Sequence, residues 1–171
     1  MPASRRIFRR ALGCILLLTA FSVFAMAGDD DQPEPAPHFR AKTLTGETFN
    51  NDSVKGKVVL FEFWTTWCPY CKREQALVDQ VNQQYADQGL VVLAVDVGEG
   101  KKKVMKYLAE NPRSCRIVLT EDTNLAAMYA ATSYPIYVVV DRDGNIAGEQ
   151  RGAAGERGLR NLLRRAGIED K

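Results

Sequence analysis

VVLFEFWTTWCPYCKRE, residues 58–74, decides how this chain is read. Val58 to Trp64 is a dense apolar run, the pattern of a strand buried on both faces. From Cys71 the spacing changes. Ala76, Leu77, Val78, Val81 and Tyr85 recur at helical intervals, and Gly89 ends the helix near Gln88. Cys68 and Cys71 therefore sit where a strand gives way to a helix. A helix N-terminus exposes unpaired N–H groups and a partial positive charge. A thiolate there is stabilised, so the Cys68 pKa is expected to fall. Pro69 suits the first turn, where its missing N–H is not needed. The spacing predicts an exposed Cys68 that attacks a disulfide and a more buried Cys71 that resolves the mixed disulfide.

Other chemistries use such a pair. A structural disulfide closing so short a loop restrains the unfolded chain little. A zinc site would draw on Cys68, Cys71, Cys115 and His38, but no second pair has ligand spacing. Thr65, three before Cys68, hints at a peroxidase, yet Phe61 stands where that motif carries proline.

Outward from this stretch, the elements alternate. Leu90 to Val97 reads as a second buried strand and Lys101 to Glu110 as an amphipathic helix stopped by Asn111-Pro112. Ile117 to Leu119 is a short strand and Asn124 to Ala130 a short helix. Ile136 to Val140 turns through Asp143-Gly144-Asn145 into Ile146 to Gln150, and Glu156 to Ala166 is a closing helix. Towards the N-terminus, Thr45-Gly46-Glu47 turns a hairpin within Phe39 to Phe49. Two apolar strands joined through a helix predict a βαβ unit with helices on both faces, and the terminal hairpin makes the sheet mixed. The fold class is an α/β sandwich around one central sheet.

Residues 1–27 read as a secretory signal: Arg5, Arg6, Arg9 and Arg10, an apolar run from Ala11, and a small-x-small end at Ala25-Met26-Ala27. The competing reading is a retained membrane anchor, although the run is short for a span of about 20 residues. Ser4-Arg5-Arg6-Ile7-Phe8 also resembles the start of a twin-arginine signal. Residues 28–37, GDDDQPEPAP, are expected to be a flexible linker, with the domain spanning 38–171. Of 23 basic residues the signal removes four arginines and no acid, leaving 19 against 21 acidic, or about −2. That balance gives no electrostatic case for nucleic acid. Cys14 leaves too, and the three remaining cysteines cannot all pair within one chain.

Two acids and several aromatics invite roles. Glu62 lies inside Val58 to Trp64, and no basic residue stands in the facing strand Leu90 to Val97. Its pKa is expected to be raised, which suits a base that takes the Cys71 proton; the alternative is an acid reaching water at a strand end. Glu74 lies three after Cys71 on one side of the helix, either opposing a Cys71 thiolate or exposed and favoured by the dipole. Trp64 is expected in the core and Trp67 as a lip beside Cys68. Cys115 reads as a buried small hydrophobe or a third redox thiol. Lys101-Lys102-Lys103 reads as a solvated helix start, and Gly98-Glu99-Gly100-Lys101 lacks the first glycine of a phosphate loop.

Four segments together resemble the TlpA/ResA group of extracytoplasmic thioredoxin-like proteins. They are Lys55-Gly56-Lys57-Val58-Val59-Leu60, Phe63-Trp64-Thr65-Thr66-Trp67-Cys68, Cys71-Lys72-Arg73-Glu74, and Tyr134-Pro135 before Ile136 to Val140 and Asp141-Arg142-Asp143-Gly144-Asn145. The resemblance implies a thioredoxin-like three-layer α/β/α sandwich with a central mixed sheet and an N-terminal β-hairpin. It implies dithiol–disulfide exchange through Cys68 and Cys71, with no cofactor and no metal. Glu62 matches the family's buried acid and Glu74 a tuning glutamate. Pro135 is implied to be cis opposite the dithiol, with Tyr134 offering backbone to an extended substrate and Trp67 contacting it. The partners implied are protein thiols and disulfides and a membrane-bound electron donor, for a monomer that reduces disulfides outside the cytoplasm, including in cytochrome c maturation. Pro69-Tyr70 departs from the commoner pairs of the group, Ala76 replaces a frequent proline, and Tyr134 is bulkier than usual. A disulfide oxidase or isomerase, or a redox-inert binding module using the Tyr134-Pro135 edge, remain open.

Overall fold

The structure, a computed structural model, describes residues 33–170; the expected signal lies outside the described residues. One seven-stranded sheet carries the molecule. In chain order its strands are β1 (Arg40–Thr43), β2 (Thr48–Asn50), β3 (Val58–Trp64), β4 (Leu90–Asp96), β5 (Arg116–Thr123), β6 (Ile136–Val140) and β7 (Ile146–Arg151). Their spatial order is β2-β1-β5-β4-β3-β6-β7. β3 lies inside the sheet next to the middle strand β4, parallel to β4 and antiparallel to β6. The sheet is therefore mixed, as expected, and β1–β2 form the N-terminal hairpin at one edge.

Burial on both faces explains the near-continuous apolar run of β3, all seven of whose residues are buried. Side chains alternate across the sheet. Val58, Leu60 and Trp64 face a core shared with helix α1 (Pro69–Gln84), Val104 of α2 (Lys101–Glu110) and Leu159, Leu162 and Leu163 of α4 (Gly155–Arg165). Val59, Phe61 and Phe63 face Phe39, Val54, Tyr129 and Leu125 of the short helix α3 (Leu125–Met128). Each fully buried Leu or Phe contributes about 1.5–3 kcal/mol. The same alternation places Glu62 on the α1 face with no exposure.

Three expectations shift. α1 begins at Pro69 rather than Cys71, because the Cys68 side chain itself caps it. It ends before the expected Gln88: Tyr85 is the C-cap, and a 3-10 turn at Ala86–Gln88 leads to Gly89 at φ 82°, where the chain turns into β4. β5 runs to Thr123, beyond the expected Leu119, because β1 pairs with its polar half across a register shift.

The last part of the expected linker is fastened to the domain. Ala36 N–H donates to the Gly144 carbonyl (2.9 Å), and Ile146 N–H donates to the Glu34 carbonyl (2.7 Å). Pro35 thus bridges to Asn145, at an edge where a missing N–H costs nothing. The compact unit begins at Pro33, ahead of the expected His38.

Candidate active site

Thr65, Thr66 and Trp67 turn the chain from β3 into α1. Cys68 is the N-cap of α1, and its sulfur accepts the Cys71 N–H at 3.1 Å. Pro69 occupies the first turn, which contains no acidic residue. Cys68 and Cys71 form a disulfide with Cα atoms 5.3 Å apart. An anion on the Cys68 sulfur would keep that N–H as a charge-assisted bond beside the positive end of the helix. Both cysteines are enclosed, Cys68 2% exposed and Cys71 not at all. The order of burial matches the sequence reading, but Cys68 is not exposed, because its sulfur turns inward onto the helix N-terminus.

A second loop faces the sulfurs. The Tyr134–Pro135 peptide is cis, and the Tyr134 carbonyl oxygen lies 3.5 Å from the Cys68 sulfur. Trp67, 61% exposed, meets the Tyr134 ring edge-on at 6.0 Å. Tyr70 is also exposed, with the Arg73 guanidinium over its ring at 4.4 Å. Two surface aromatics therefore flank an otherwise closed disulfide. Trp64 is fully buried, as expected.

Beneath α1, Glu62 is not unpaired. Its Oε2 accepts from Arg113 Nη2 at 2.9 Å, and Arg113 Nε donates to Asp79 of α1 at 2.9 Å. Glu62 thus has a cation, which the sequence sought only in the facing strand. The partner comes from the loop after α2, not from the facing strand. Arg113 also lies over the Trp64 ring at 5.6 Å. Burial pushes the Glu62 pKa up, and the Arg113 charge pulls it only partly back. Among the described residues, Glu62 Oε1 has no hydrogen-bond partner, and neither have Trp64 Nε1 and Arg113 Nη1.

Glu74 is buried, not exposed. It accepts from the Tyr137 hydroxyl (2.9 Å) and from the N–H groups of Ala154 (3.0 Å) and Gly155 (2.5 Å). Ala154 offers α4 no side-chain cap, so Glu74 caps that helix from across the core. Cys115 is a buried free thiol whose pKa burial pushes up.

A further acidic pair adjoins the active-site turn. Asp96, the last residue of β4, lies in register with Trp64 and is fully buried. Among the described residues, no donor reaches either of its oxygens. Its neighbour is Glu99, whose side chain is 4% exposed. Burial, then the Glu99 hydrogen bond and charge, push the Asp96 pKa up to about 8. Burial and the Glu99 carboxylate thus favour the protonated form of Asp96, which can donate to Glu99. Burial also pushes Glu99 up, but its bonds to Lys103, Thr66 and Asp96 outweigh that and hold it below the usual carboxylate range. Glu99 accepts the Thr66 N–H at 2.5 Å and the Thr66 hydroxyl at 2.8 Å, and Lys103 Nζ lies 2.5 Å away.

The sequence reading singled out neither Arg113 nor Asp96 and met Glu99 only in a discounted loop. Asp96 carried the signal that marked Glu62, an acid inside an apolar strand. Arg113 carried none, being a loop arginine after Asn111-Pro112. Among the described residues no group of three His, Cys, Asp or Glu side chains is placed to hold a metal ion, and no helix is long and apolar enough to cross a membrane.

Residues 31–163 match the Redoxin family. The thioredoxin-like protein YneN of Bacillus subtilis is 34% identical over 115 residues, 66% of this chain and 67% of that protein. The thiol-disulfide oxidoreductase ResA of the same organism is 28% identical over 152 residues, 85% of each chain. Among solved structures, a putative thiol:disulfide interchange protein DsbE from Chlorobium tepidum superposes with a TM-score of 0.71 at 25% identity, over 80% of this chain and 97% of that one.

Proposed function

This chain belongs to the Redoxin family, and on that premise we propose that it is an exported reductant, which opens disulfides of extracytoplasmic proteins through the dithiol of Cys68-Pro69-Tyr70-Cys71. Thiol–disulfide oxidoreductase activity on a thioredoxin-like, ResA-like fold comes with the relatives.

One observation carries it: the Cys71 N–H rests on the Cys68 sulfur at the start of α1. In the reduced protein that N–H and the helix end favour a Cys68 thiolate. The thiolate attacks one sulfur of a substrate disulfide and expels the other as a thiolate. Cys71 then gives its proton to Glu62, whose Oε1 is unengaged, and attacks the Cys68 sulfur. The substrate leaves with both sulfurs reduced, and two electrons have moved. The product is the Cys68–Cys71 disulfide. Trp67 and the backbone of Tyr134 and Pro135 hold the substrate segment as an added extended strand.

The reductive direction draws support from the carboxylates below Cys71. Glu62 and Glu74 share the Tyr137 neighbourhood, and both oppose a second negative charge on that face of α1. A Cys71 thiol that resists ionisation favours the disulfide as product, which makes the pair an electron donor. The resemblance to the TlpA/ResA group points the same way. Export draws support from residues 1–27, which read as a secretory signal; outside the cytoplasm, where cytosolic reductants are absent, a membrane-bound donor would re-reduce the dithiol. We take the acting form to be a monomer.

The test is the reduction potential together with turnover of a disulfide substrate such as insulin. A potential below about −200 mV supports a reductant, and a value near about −120 mV, the range of a strong oxidant, reverses the direction. Cys68→Ser should abolish turnover; activity retained in that variant overturns the nucleophile.

A further inference from the structure

We propose that Glu99 is a positioning residue for thiol–disulfide exchange: through Thr66 it fixes the turn that presents Cys68 at the start of α1, and the buried carboxyl of Asp96 holds it there. The inference rests on the reading of Cys68 as the attacking sulfur.

The turn between β3 and α1 has few anchors. Cys68 N–H returns to the Thr65 carbonyl at 3.3 Å. Thr66 donates both its N–H and its hydroxyl to the two oxygens of Glu99. Two bonds from one residue to one carboxylate fix orientation as well as distance, and bonds to an ionised acceptor are about twice as strong as neutral ones. Trp67 and Cys68 follow directly, so the clamp acts on the lip of the site and on the N-cap of α1. A misplacement of about 1 Å at such a point is enough to slow a reaction about 10²-fold.

Glu99 is itself held from two sides. Lys103, one turn into α2, binds it from the solvent side, and its own side chain is 60% exposed. Asp96 lies buried on its core side, where a protonated carboxyl can donate to Glu99. An exposed Glu–Lys pair alone contributes little, and a helix start needs no fully buried acid behind it. The loop carrying Glu99 is pinned as well: Gly98 N–H donates to Thr120 Oγ1 (3.0 Å), and that hydroxyl donates to the Asp96 carbonyl (2.7 Å). The titratable groups facing Asp96 are Glu99 from this loop, Lys103 from α2 and Tyr134 from the loop before β6. β3 offers it Trp64 and β5 the Thr120 hydroxyl, neither of them charged. Once Asp96 loses its proton, two carboxylates face each other, with Lys103 on the solvent side of Glu99 as the cation near them. The clamp on Thr66 then weakens.

The experiment measures exchange rate against pH, with Trp67 fluorescence as the local readout, in the native protein and in Cys68→Ser, Glu99→Gln, Thr66→Ala and Asp96→Asn. Glu99→Gln is expected to slow exchange about tenfold at pH 7 and to change the Trp67 emission, with Thr66→Ala falling between it and the native protein. The native rate should show a descending limb centred near pH 8, where Asp96 ionises. Asp96→Asn, which keeps a donor towards Glu99 but has no proton to lose, should lack that limb. A Glu99→Gln protein with the native rate and emission overturns the proposal. So does an Asp96→Asn profile that still falls near pH 8, which decides the matter even if Glu99→Gln does not fold. Activity surviving in Cys68→Ser would instead overturn the nucleophile reading and leave a distinct signature, since no change at Glu99 produces it.

Discussion

Glu62 and Asp96 occupy adjacent central strands, β3 and β4, and both are fully buried. Their surroundings differ in sign. Glu62 meets Arg113 and through it Asp79, so charge is neutralised by an opposite charge. Asp96 meets Glu99, so charge is avoided by keeping a proton. A protein interior accepts a carboxyl group by either route, pairing or protonation. The two routes leave different chemistry behind. The paired acid keeps one oxygen free near Cys71's helix, while the protonated acid becomes a hydrogen-bond donor that steadies a loop.

Removing the cation breaks the first arrangement most severely. Arg113→Met is expected to destabilise the fold by about 3–5 kcal/mol, since Glu62 is left buried and uncompensated; urea unfolding at neutral pH measures it. Glu62→Gln is milder for stability, because Arg113 retains Asp79. Its effect falls on resolution: release of substrate from the mixed disulfide should slow about 10²-fold at pH 7, with formation of that species unchanged. Trapping and timing the mixed disulfide separates the two steps, and equal slowing of both would remove the base role.

The second arrangement is sharpened by pH. The Asp96 carboxyl has its pKa at about 8 in the folded chain against 3.8 when free. Between those values the folded protein holds a proton that the unfolded chain has released. Stability therefore falls as pH rises from about 4 to about 8 and levels off above. In Asp96→Asn that slope should shrink, and the variant should be more stable than the native protein at pH 8, by about 1–2 kcal/mol once partial relaxation is allowed for. Thermal unfolding at pH 5 and pH 8 gives the comparison, and an unchanged slope would place the titration elsewhere. The smallest effect belongs to Thr66→Ala. Losing one hydroxyl bond to Glu99 should cost about 1 kcal/mol in the same assay.

How much was legible in the sequence follows distance along the chain. The strand-to-helix junction, the dithiol and the alternation of elements are local patterns, and they were readable from residues 58–97 and 136–150. The cis bond at Pro135 was reached only through resemblance. What stayed hidden were side-chain pairings between remote segments: Glu62 with Arg113 across 51 positions, Glu74 with Ala154 across 80, and Thr66 with Glu99 across 33. Periodicity reports which face a residue occupies, not which loop arrives to meet it. The expectation for Glu62 was correct about burial and direction and incomplete about its partner. For Glu74 the sequence left open an acid opposing a Cys71 thiolate or an exposed first-turn acid; its capping of α4 stayed hidden because no local pattern shows that α4 starts with a bare alanine.

The dependence of α4 on Glu74 makes the two ends of the folded domain answerable to each other. The amide protons of Ala154 and Gly155 point at an acid three residues from a redox sulfur. In a magnetic-resonance spectrum they are natural reporters of reduction, although neither residue approaches the dithiol in the chain. Ending the chain before Ala154 would strip that acid of both amide donors and leave it only the phenol of Tyr137. A truncation that touches no sulfur would then be felt at the sulfurs.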